Sequence, residues 1–271
     1  MGRTTRRKTT EADKADRYRL YQESVQDVES EIDFVDETYT RLNGAKARLL
    51  REDFCGTANT ACEWVRRRKT NVAYAIDINP EALAWGMTNN VAALTPTTKK
   101  RVHLLEGDVR YAETEPLDIV LAMNFSYWLF MEREEMLEYF TGVHGGLGDK
   151  GVFFLDAYGG YDAPRTIQET RECDGFTYEW EQAKFNPINS EMDCYIHFGF
   201  PDGSRMEKAF TYTWRLWTLP EIREMLYEAG FQRVTIYWQG WDEDGEPDGI
   251  FQPAEEAEPD AGWICYISAE K

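Results

Sequence analysis

The sequence is poor in the residues that build metal and disulfide scaffolds. Its five cysteines, Cys55, Cys62, Cys173, Cys194 and Cys265, are scattered, odd in number and never spaced as Cys-x-x-Cys. That pattern argues against a disulfide framework or zinc site and suits a reducing compartment. Histidine is scarcer still: His103, His144 and His197 are the only three. No His-Glu-x-x-His pattern or His/carboxylate cluster occurs, so no metal is expected. Positive charge is also short. Against 49 acids stand 30 lysines and arginines, a net charge of −19. A surface so acidic repels phosphate backbones, and nucleic acid is not an expected partner. The internal basic run, Arg66-Arg67-Arg68-Lys69, fits the solvated end of a helix. Long apolar runs are missing. The most apolar window, Ile119 to Met131, is too short to cross a bilayer and is broken by Asn124 and Ser126. The N-terminal MGRTTRRKTTEADKADR has no apolar core and reads as a disordered basic tail, not a secretory signal. The expectation is a soluble, cytoplasmic protein with no membrane partner.

What is present is enough for a folded enzyme-sized globule. The chain has 271 residues, 42% apolar and 14% aromatic, which fits one large domain or one domain with a sizeable insertion. Residues 11–42 carry apolar or aromatic positions at Tyr18, Leu20, Tyr21, Val25, Val28, Ile32 and Phe34, spaced for amphipathic helices. Strand and helix patterns then alternate. Strands are expected at Arg48–Glu52, Val72–Asp77, Val102–Glu106, Asp118–Met123 and Val152–Ala157. Helices are expected at Thr60–Arg68, Pro80–Leu94 and Glu132–Gly142. Asn79 followed by Pro80 marks one helix start. Such alternation implies right-handed crossovers and a mainly parallel sheet.

The pattern breaks after the fifth strand. FTYEWEQAKF, EMDCYIHFGF and EKAFTYTWRLW are three alternating aromatic-rich runs between Phe176 and Trp217, which predicts an antiparallel ribbon. A helix is expected at Pro220–Ala229, capped by Thr218 and stopped by Gly230. Two last strands follow at Val234–Trp238 and Trp263–Ser268. Between them, residues 242–260 hold nine acids and no base, which reads as a solvated loop. The expected division is a tail and helical lid over residues 1–42, and a main domain over 43–271 with the antiparallel insertion at 165–217.

Four signals fall at strand ends, where ligands sit in open α/β sheets. Glu52-Asp53-Phe54-Cys55-Gly56-Thr57-Ala58 ends the first strand, and Gly56 and Ala58 would let backbone approach a ligand. Asp77 ends the second and is placed to hold ribose hydroxyls, with Ile78 beside it. Gly107-Asp108-Val109 ends the third, where a carboxylate accepts from an exocyclic amine. Asn124-Phe125-Ser126 ends the fourth. Each alone has a bland explanation: a tight turn, a helix cap, a turn acid, a satisfied core amide. Their order and common placement carry the argument.

On those residues the chain resembles the class I S-adenosylmethionine-dependent methyltransferases, over 48–157 and again over 218–268. The first motif keeps only the middle glycine, Gly56; Phe54 and Ala58 replace the other two. Ala75-Ile76-Asp77-Ile78-Asn79-Pro80 is similar to the second motif, and Glu106-Gly107-Asp108-Val109 to the adenine-binding motif. Trp217-Thr218-Leu219-Pro220 and Glu228-Ala229-Gly230-Phe231 are similar to the helix and turn before the sixth strand. The resemblance implies a Rossmann-like α/β fold with a seven-stranded, mainly parallel sheet and S-adenosyl-L-methionine as cofactor. It implies cofactor contacts from Glu52, Gly56, Ala58, Asp77, Ile78, Asp108, Val109 and Asn124. The antiparallel insertion is similar to that of small-molecule N-methyltransferases, where it forms one wall of the acceptor site and often a dimer contact, so a homodimer is possible.

Methyl transfer from a sulfonium is an in-line displacement, in which the protein positions the nucleophile and excludes water. Asn124, Tyr127 and Tyr158 are the expected catalytic residues, with Asp156, Tyr161 and His197 as further candidates for orienting an amine or accepting its proton. His197, between Ile196 and Phe198, fits a satisfied core or surface histidine better than a base. Tyr18 and Tyr21 fit a packing stripe better than a lid over cofactor. A small-molecule acceptor, at nitrogen in preference to oxygen, is the expected substrate. A protein or peptide acceptor, or a cofactor-binding protein without activity, are the alternatives.

Overall fold

The computed structural model describes residues 9–242 and 247–271. The first eight residues of the expected basic tail and residues 243–246 of the acidic loop lie outside the described residues. The elements run in order α1 (Arg17–Val25), α2 (Val28–Asn43), β1 (Leu49–Asp53), α3 (Asn59–Arg67), β2 (Val72–Asp77), α4 (Pro80–Gly86), α5 (Pro96–Lys99), β3 (Val102–Glu106), β4 (Leu117–Ala122), α6 (Arg133–Gly146) and β5 (Leu147–Gly159). Then come β6 (Ile167–Cys173), β7 (Phe176–Asn186), β8 (Glu191–Gly199), β9 (Arg205–Arg215), α7 (Leu219–Glu228), β10 (Arg233–Trp241), β11 (Pro247–Pro253) and β12 (Trp263–Glu270). No helix among the described residues is long and apolar enough to cross a membrane.

Two compact units divide the described residues: 27–163 with 215–242 and 247–271, and 9–26 with 164–214. The N-terminal segment is thus split between units at residue 26, where the sequence alone suggested one segment to residue 42. The reason is visible in α2, whose Ile32, Val35 and Tyr39 are buried in the core of the larger unit.

In the larger unit an eight-stranded sheet has the order β11-β10-β12-β5-β4-β1-β2-β3. Strands β1 to β5 are mutually parallel. β12 runs antiparallel to β5 and β10, and β11 runs antiparallel to β10. The sequence reading expected seven strands. The eighth, β11, comes from the acidic stretch read as a loop. Its period-two signal is masked by Pro247, Asp248, Gly249 and Pro253, and it is an edge strand, where proline is tolerated. The order reverses between β1 and β4, which opens a crevice at their carboxyl ends. The core beneath is built by Leu50, Ala73, Ala75, Ile119, Leu121 and Phe154 of the strands against Trp64 and Val65 of α3. Trp64 Nε1 donates to the carbonyls of Arg48 and Val72, at 3.2 Å each, and so ties α3 to both neighbouring strands. The helix expected over 80–94 is interrupted: α4 ends at Gly86 and a single π-helical turn, Met87–Val91, follows. Thr218 and Glu221 form a reciprocal capping box at the start of α7.

The smaller unit is a four-stranded antiparallel sheet, β6-β7-β8-β9. The three expected runs are β7, β8 and β9. The fourth strand, β6, reads Ile-Gln-Glu-Thr-Arg-Glu-Cys and is nearly all exposed, so it carries no apolar alternation to detect. Phe176, Ile196, Phe198 and Ala209 form this unit's core with Leu20 of α1. The stretch expected to be a disordered tail is tied down at residues 11 and 12: Glu11 N–H donates to Asp202 and Ala12 N–H to Ser204 Oγ.

Candidate functional site

The turn after β1 reverses the chain within six residues. Phe54, Gly56 and Ala58 all have positive φ, at 57°, 51° and 56°. For Phe54 and Ala58 this left-handed backbone costs about 1–2 kcal/mol each. The two replaced glycines of the motif therefore keep a glycine-like backbone. Packing holds the strain: the Phe54 ring lies 5.6 Å from Tyr139 and 6.0 Å from Phe130. Three further contacts fix the turn. Cys55 N–H donates to Ile76 O at 2.9 Å, Asn90 Nδ2 donates to Thr57 O at 2.9 Å, and Gly86 of α4 lies against Thr57. A Cβ at Gly86 would sit 2.3 Å from Thr57 O, so this position must be glycine. A Cβ at Gly56 would meet nothing within 4 Å, so the turn faces open space there.

The adjacent acids Glu52 and Asp53 serve opposite faces, as strand alternation requires. Asp53 pairs with Arg51, and Tyr139 OH donates to it at 2.9 Å, all buried. Glu52 looks to α3, whose N-cap residue, Ala58, has no capping side chain. Glu52 Oε2 accepts the Ala61 N–H at 2.7 Å and so acts as the helix's cap from outside. Burial pushes the Glu52 carboxyl up to about 8, against the opposing pull of the Ala61 N–H and the Thr60 hydroxyl.

Asp77 is brought directly onto the turn. Its Oδ2 accepts the Gly56 N–H at 2.7 Å and its Oδ1 accepts the Asn79 N–H at 2.8 Å. Ile78 beside it is 72% exposed, an apolar surface standing free at the carboxyl edge. At the end of β3, Asp108 is held by Arg110 through its guanidinium, at 2.7 Å, and its main-chain N–H, at 3.0 Å. The guanidinium hydrogen bond draws the Asp108 carboxyl below its ordinary range. Val109 is buried behind it.

Beyond β4, Asn124 and Phe125 also take positive φ, 58° and 57°. The buried Asp156 of β5 receives both of their N–H groups, at 2.7 and 2.8 Å. Burial pushes its carboxyl up to about 7, though the two N–H donors favour its charged form. Tyr127 is fully buried and its OH donates to Asp156 O at 2.7 Å. That commits Tyr127 to the fold and removes it from the expected catalytic set. Tyr158 is only half-buried, with its ring 4.8 Å from both Phe125 and Trp128.

The carboxyl edge continues across β5, β12 and β10. A cavity of about 610 Å³ opens there, lined by Tyr161, Trp238, Trp241, Glu258 and Asp260. Two main-chain hydrogen bonds build its wall: Tyr161 N–H to Asp260 O at 3.3 Å and Asp162 N–H to Ala261 O at 2.9 Å. In the smaller unit, His197 is buried with its ring nitrogens 2.9 Å from Glu181 and Glu207, a satisfied core histidine. Tyr18 and Tyr21 pack on Phe210 within the same unit.

The structure thus gathers Glu52, Gly56, Ala58 and Asp77 about one turn, and Asn124, Asp156 and Tyr158 about the next. Sequence reasoning passed over Gly86 and Asn90, which shape the first turn from α4 and its π turn. A glycine inside a helical pattern was the available signal for Gly86. Asn90 gave none. The residues present fit an adenosyl group: an acid beside a tight turn open above its glycine, with an exposed apolar side chain next to the acid.

No protein-family model matches the sequence, and no curated protein matches it. Solved structures do. A methyltransferase dependent on S-adenosylmethionine from Clostridium acetobutylicum superposes with a TM-score of 0.67 at 17% identity, covering 92% of this chain and 96% of that one. An amino pentose methyltransferase of calicheamicin biosynthesis from Micromonospora echinaspora, solved with the cofactor bound, gives 0.66 at 14% identity over 94% and 96%. A sugar N-methyltransferase from a Streptoalloteichus species gives 0.63 at 15% identity over 100% and 98%. Across most of its length, this chain has the Rossmann-like fold of the S-adenosylmethionine-dependent methyltransferases.

Proposed function

We propose that the protein is an S-adenosylmethionine-dependent methyltransferase that acts on a small-molecule acceptor, at nitrogen in preference to oxygen. The observation that carries this reading is the Asp77–Gly56 contact: an acid at the end of β2 gripping an open, left-handed turn at the point where strand order reverses. The bound cofactor supplies a methyl group activated on a sulfonium. Asp77 would hold the ribose hydroxyls, and the backbone of Gly56 and Ala58 would approach the ligand. Ile78, exposed beside Asp77, and Val109, next to Asp108, would serve the adenine. Asp108 keeps acceptor capacity for an exocyclic amine beside Arg110, since a carboxylate offers about four lone-pair sites. Glu52 serves the site through α3, which it caps.

The acceptor side favours nitrogen. Aromatic rings with carboxylates, as in the cavity of Trp238, Trp241, Tyr161, Glu258 and Asp260, suit an amine-bearing ligand by cation–π and charge attraction. The similar structures include an amino pentose and a sugar N-methyltransferase. To Asn124, whose N–H is held by Asp156, and the half-buried Tyr158 we assign the orientation of the nucleophile. The reading of a cofactor binder without activity rests on the lost motif glycines, and the glycine-like φ of Phe54 and Ala58 weighs against it. Calorimetric titration with S-adenosylmethionine tests the cofactor assignment: absence of binding at millimolar cofactor ends it. A screen of amino sugars and other small amines with S-adenosylhomocysteine release as readout tests the acceptor. Turnover on proteins alone, with steep salt dependence, would move the assignment to a protein acceptor.

A further inference from the structure

Glu31 is a buried carboxyl that the site described so far does not use. It is 7% exposed, and its Oε2 has no hydrogen-bond partner. It belongs to the buried stripe of α2, Glu31, Ile32, Val35, Thr38 and Tyr39, which is otherwise apolar or hydroxyl-bearing. A buried polar atom without a partner costs free energy unless a ligand completes it.

The direction of α2 places Glu31 at the functional edge of the sheet. At the helix's C-terminal end Asn43 Nδ2 donates to Lys150 O, near the start of β5. The first turn of α2 therefore lies toward the opposite, carboxyl edge. One turn after Glu31, the Phe34 ring packs 4.5 Å from Tyr266. Tyr266 is the register partner of Asp156. Glu31 thus stands over the level of Asp156, whose carboxyl holds the turn of Asn124 and Phe125. The charged groups acting most strongly on it are all acids: Asp156 of β5, Glu52 of β1 and Asp27 at its own helix's N-cap. Asp156 and Glu52 already accept main-chain N–H donors. Glu31 is the open member of the group.

We propose that Glu31 is the counter-ion of the α-ammonium on the amino-acid arm of S-adenosylmethionine. The proposal rests on the methyltransferase reading above. A buried acid among acids is completed by a cation, and three cationic groups come to such a site. The sulfonium loses its charge on transfer, and an acceptor amine must be uncharged to attack. The ammonium alone keeps its charge through turnover, which matches a permanently placed carboxylate. Burial and the neighbouring acids raise the Glu31 carboxyl well above its ordinary range, and a bound ammonium would reverse that.

The test is titration of the full chain and its Glu31→Gln variant with S-adenosylmethionine, S-adenosylhomocysteine and methylthioadenosine, which lacks the amino-acid arm. Glu31→Gln should weaken the first two by about 10- to 100-fold and leave methylthioadenosine unchanged. Weakening of S-adenosylmethionine alone would assign Glu31 to the sulfonium and overturn the proposal. So would equal weakening of all three, or of none. Wild-type protein that binds none of the three defeats the methyltransferase reading, and this proposal with it. If the Gln variant does not fold, Glu31→Leu, which removes the orphan group outright, gives the same comparison.

Discussion

The Asp77 carboxylate and the Gly56 main-chain N–H meet at 2.7 Å, so the acid that ends β2 grips the turn that ends β1. The same carboxylate holds Asn79 N–H at the start of α4. Asp77→Ala leaves both donors without a partner. A stability loss of about 1–3 kcal/mol is expected, with a fall in S-adenosylmethionine affinity of about 100-fold. Asp77→Asn keeps a carbonyl oxygen and should lose less of both. Thermal unfolding and calorimetry check the pair; a fully binding Asp77→Ala protein would contradict the assignment.

Gly86 and Gly145 separate packing from propensity. Both lie in helices, but a Cβ at Gly86 would meet Thr57 O at 2.3 Å, whereas one at Gly145 meets nothing within 4 Å. Gly86→Ala should push the turn at Thr57 outward, destabilise the protein by about 1–3 kcal/mol and weaken cofactor binding. Gly145→Ala should be neutral or stabilising by up to about 1 kcal/mol. The measurements are melting temperature and cofactor affinity; equal behaviour of the two variants would contradict the contact.

The contrast between these two glycines also shows what the sequence could tell. The parallel strands were legible because each is a short apolar run with a helix pattern behind it, and Asp77, Asp108 and Asn124 were legible because each ends such a run. β6 and β11 were not, since one is polar on both faces and the other is broken by proline and glycine. Tyr127 carried the same letters as an active-site tyrosine, and only its depth reveals a core role. Glu31 interrupts the buried stripe of α2, a signal that becomes meaningful once the helix direction is known. Gly86 acts through one backbone contact 29 residues away, at Thr57, which no local pattern encodes.

The buried acids give the ligand-free protein a characteristic pH dependence. Burial raises Glu52 from 4.5 to about 8 and Asp156 from 3.8 to about 7. Between the unfolded and folded values the native state binds more protons, so stability is fully present at low pH and falls as pH rises. Asp36 and Asp108, whose carboxyls are lowered by Arg68 and Arg110, act in the opposite direction, but only in the acid range below about 4. Burial also lowers His144 from 6.5, which opposes this trend below about pH 6.5; the melting temperature should therefore decline between about pH 6.5 and about pH 8.5, and Glu52→Gln should flatten the upper part of the slope. A rise across that range would contradict the burial of both acids.

Two tyrosines near Asp156 should respond in opposite ways to loss of their hydroxyls. The Tyr127 OH is buried and donates to Asp156 O at 2.7 Å, so Tyr127→Phe leaves a buried carbonyl short of a donor. That should cost about 1–2 kcal/mol of stability and leave cofactor affinity near wild type. Tyr158 is only half-buried and keeps its ring contacts with Phe125 and Trp128 as phenylalanine, so Tyr158→Phe should lose less stability than Tyr127→Phe. If its hydroxyl orients the acceptor amine or takes its proton, kcat should fall by about 10- to 100-fold on an acceptor found in the amine screen. The decisive comparison is melting temperature against kcat for the two variants. A Tyr158→Phe protein that is unstable yet fully active per folded molecule would return Tyr158 to the core and leave Asn124 and its Asp156-held turn as the positioning group.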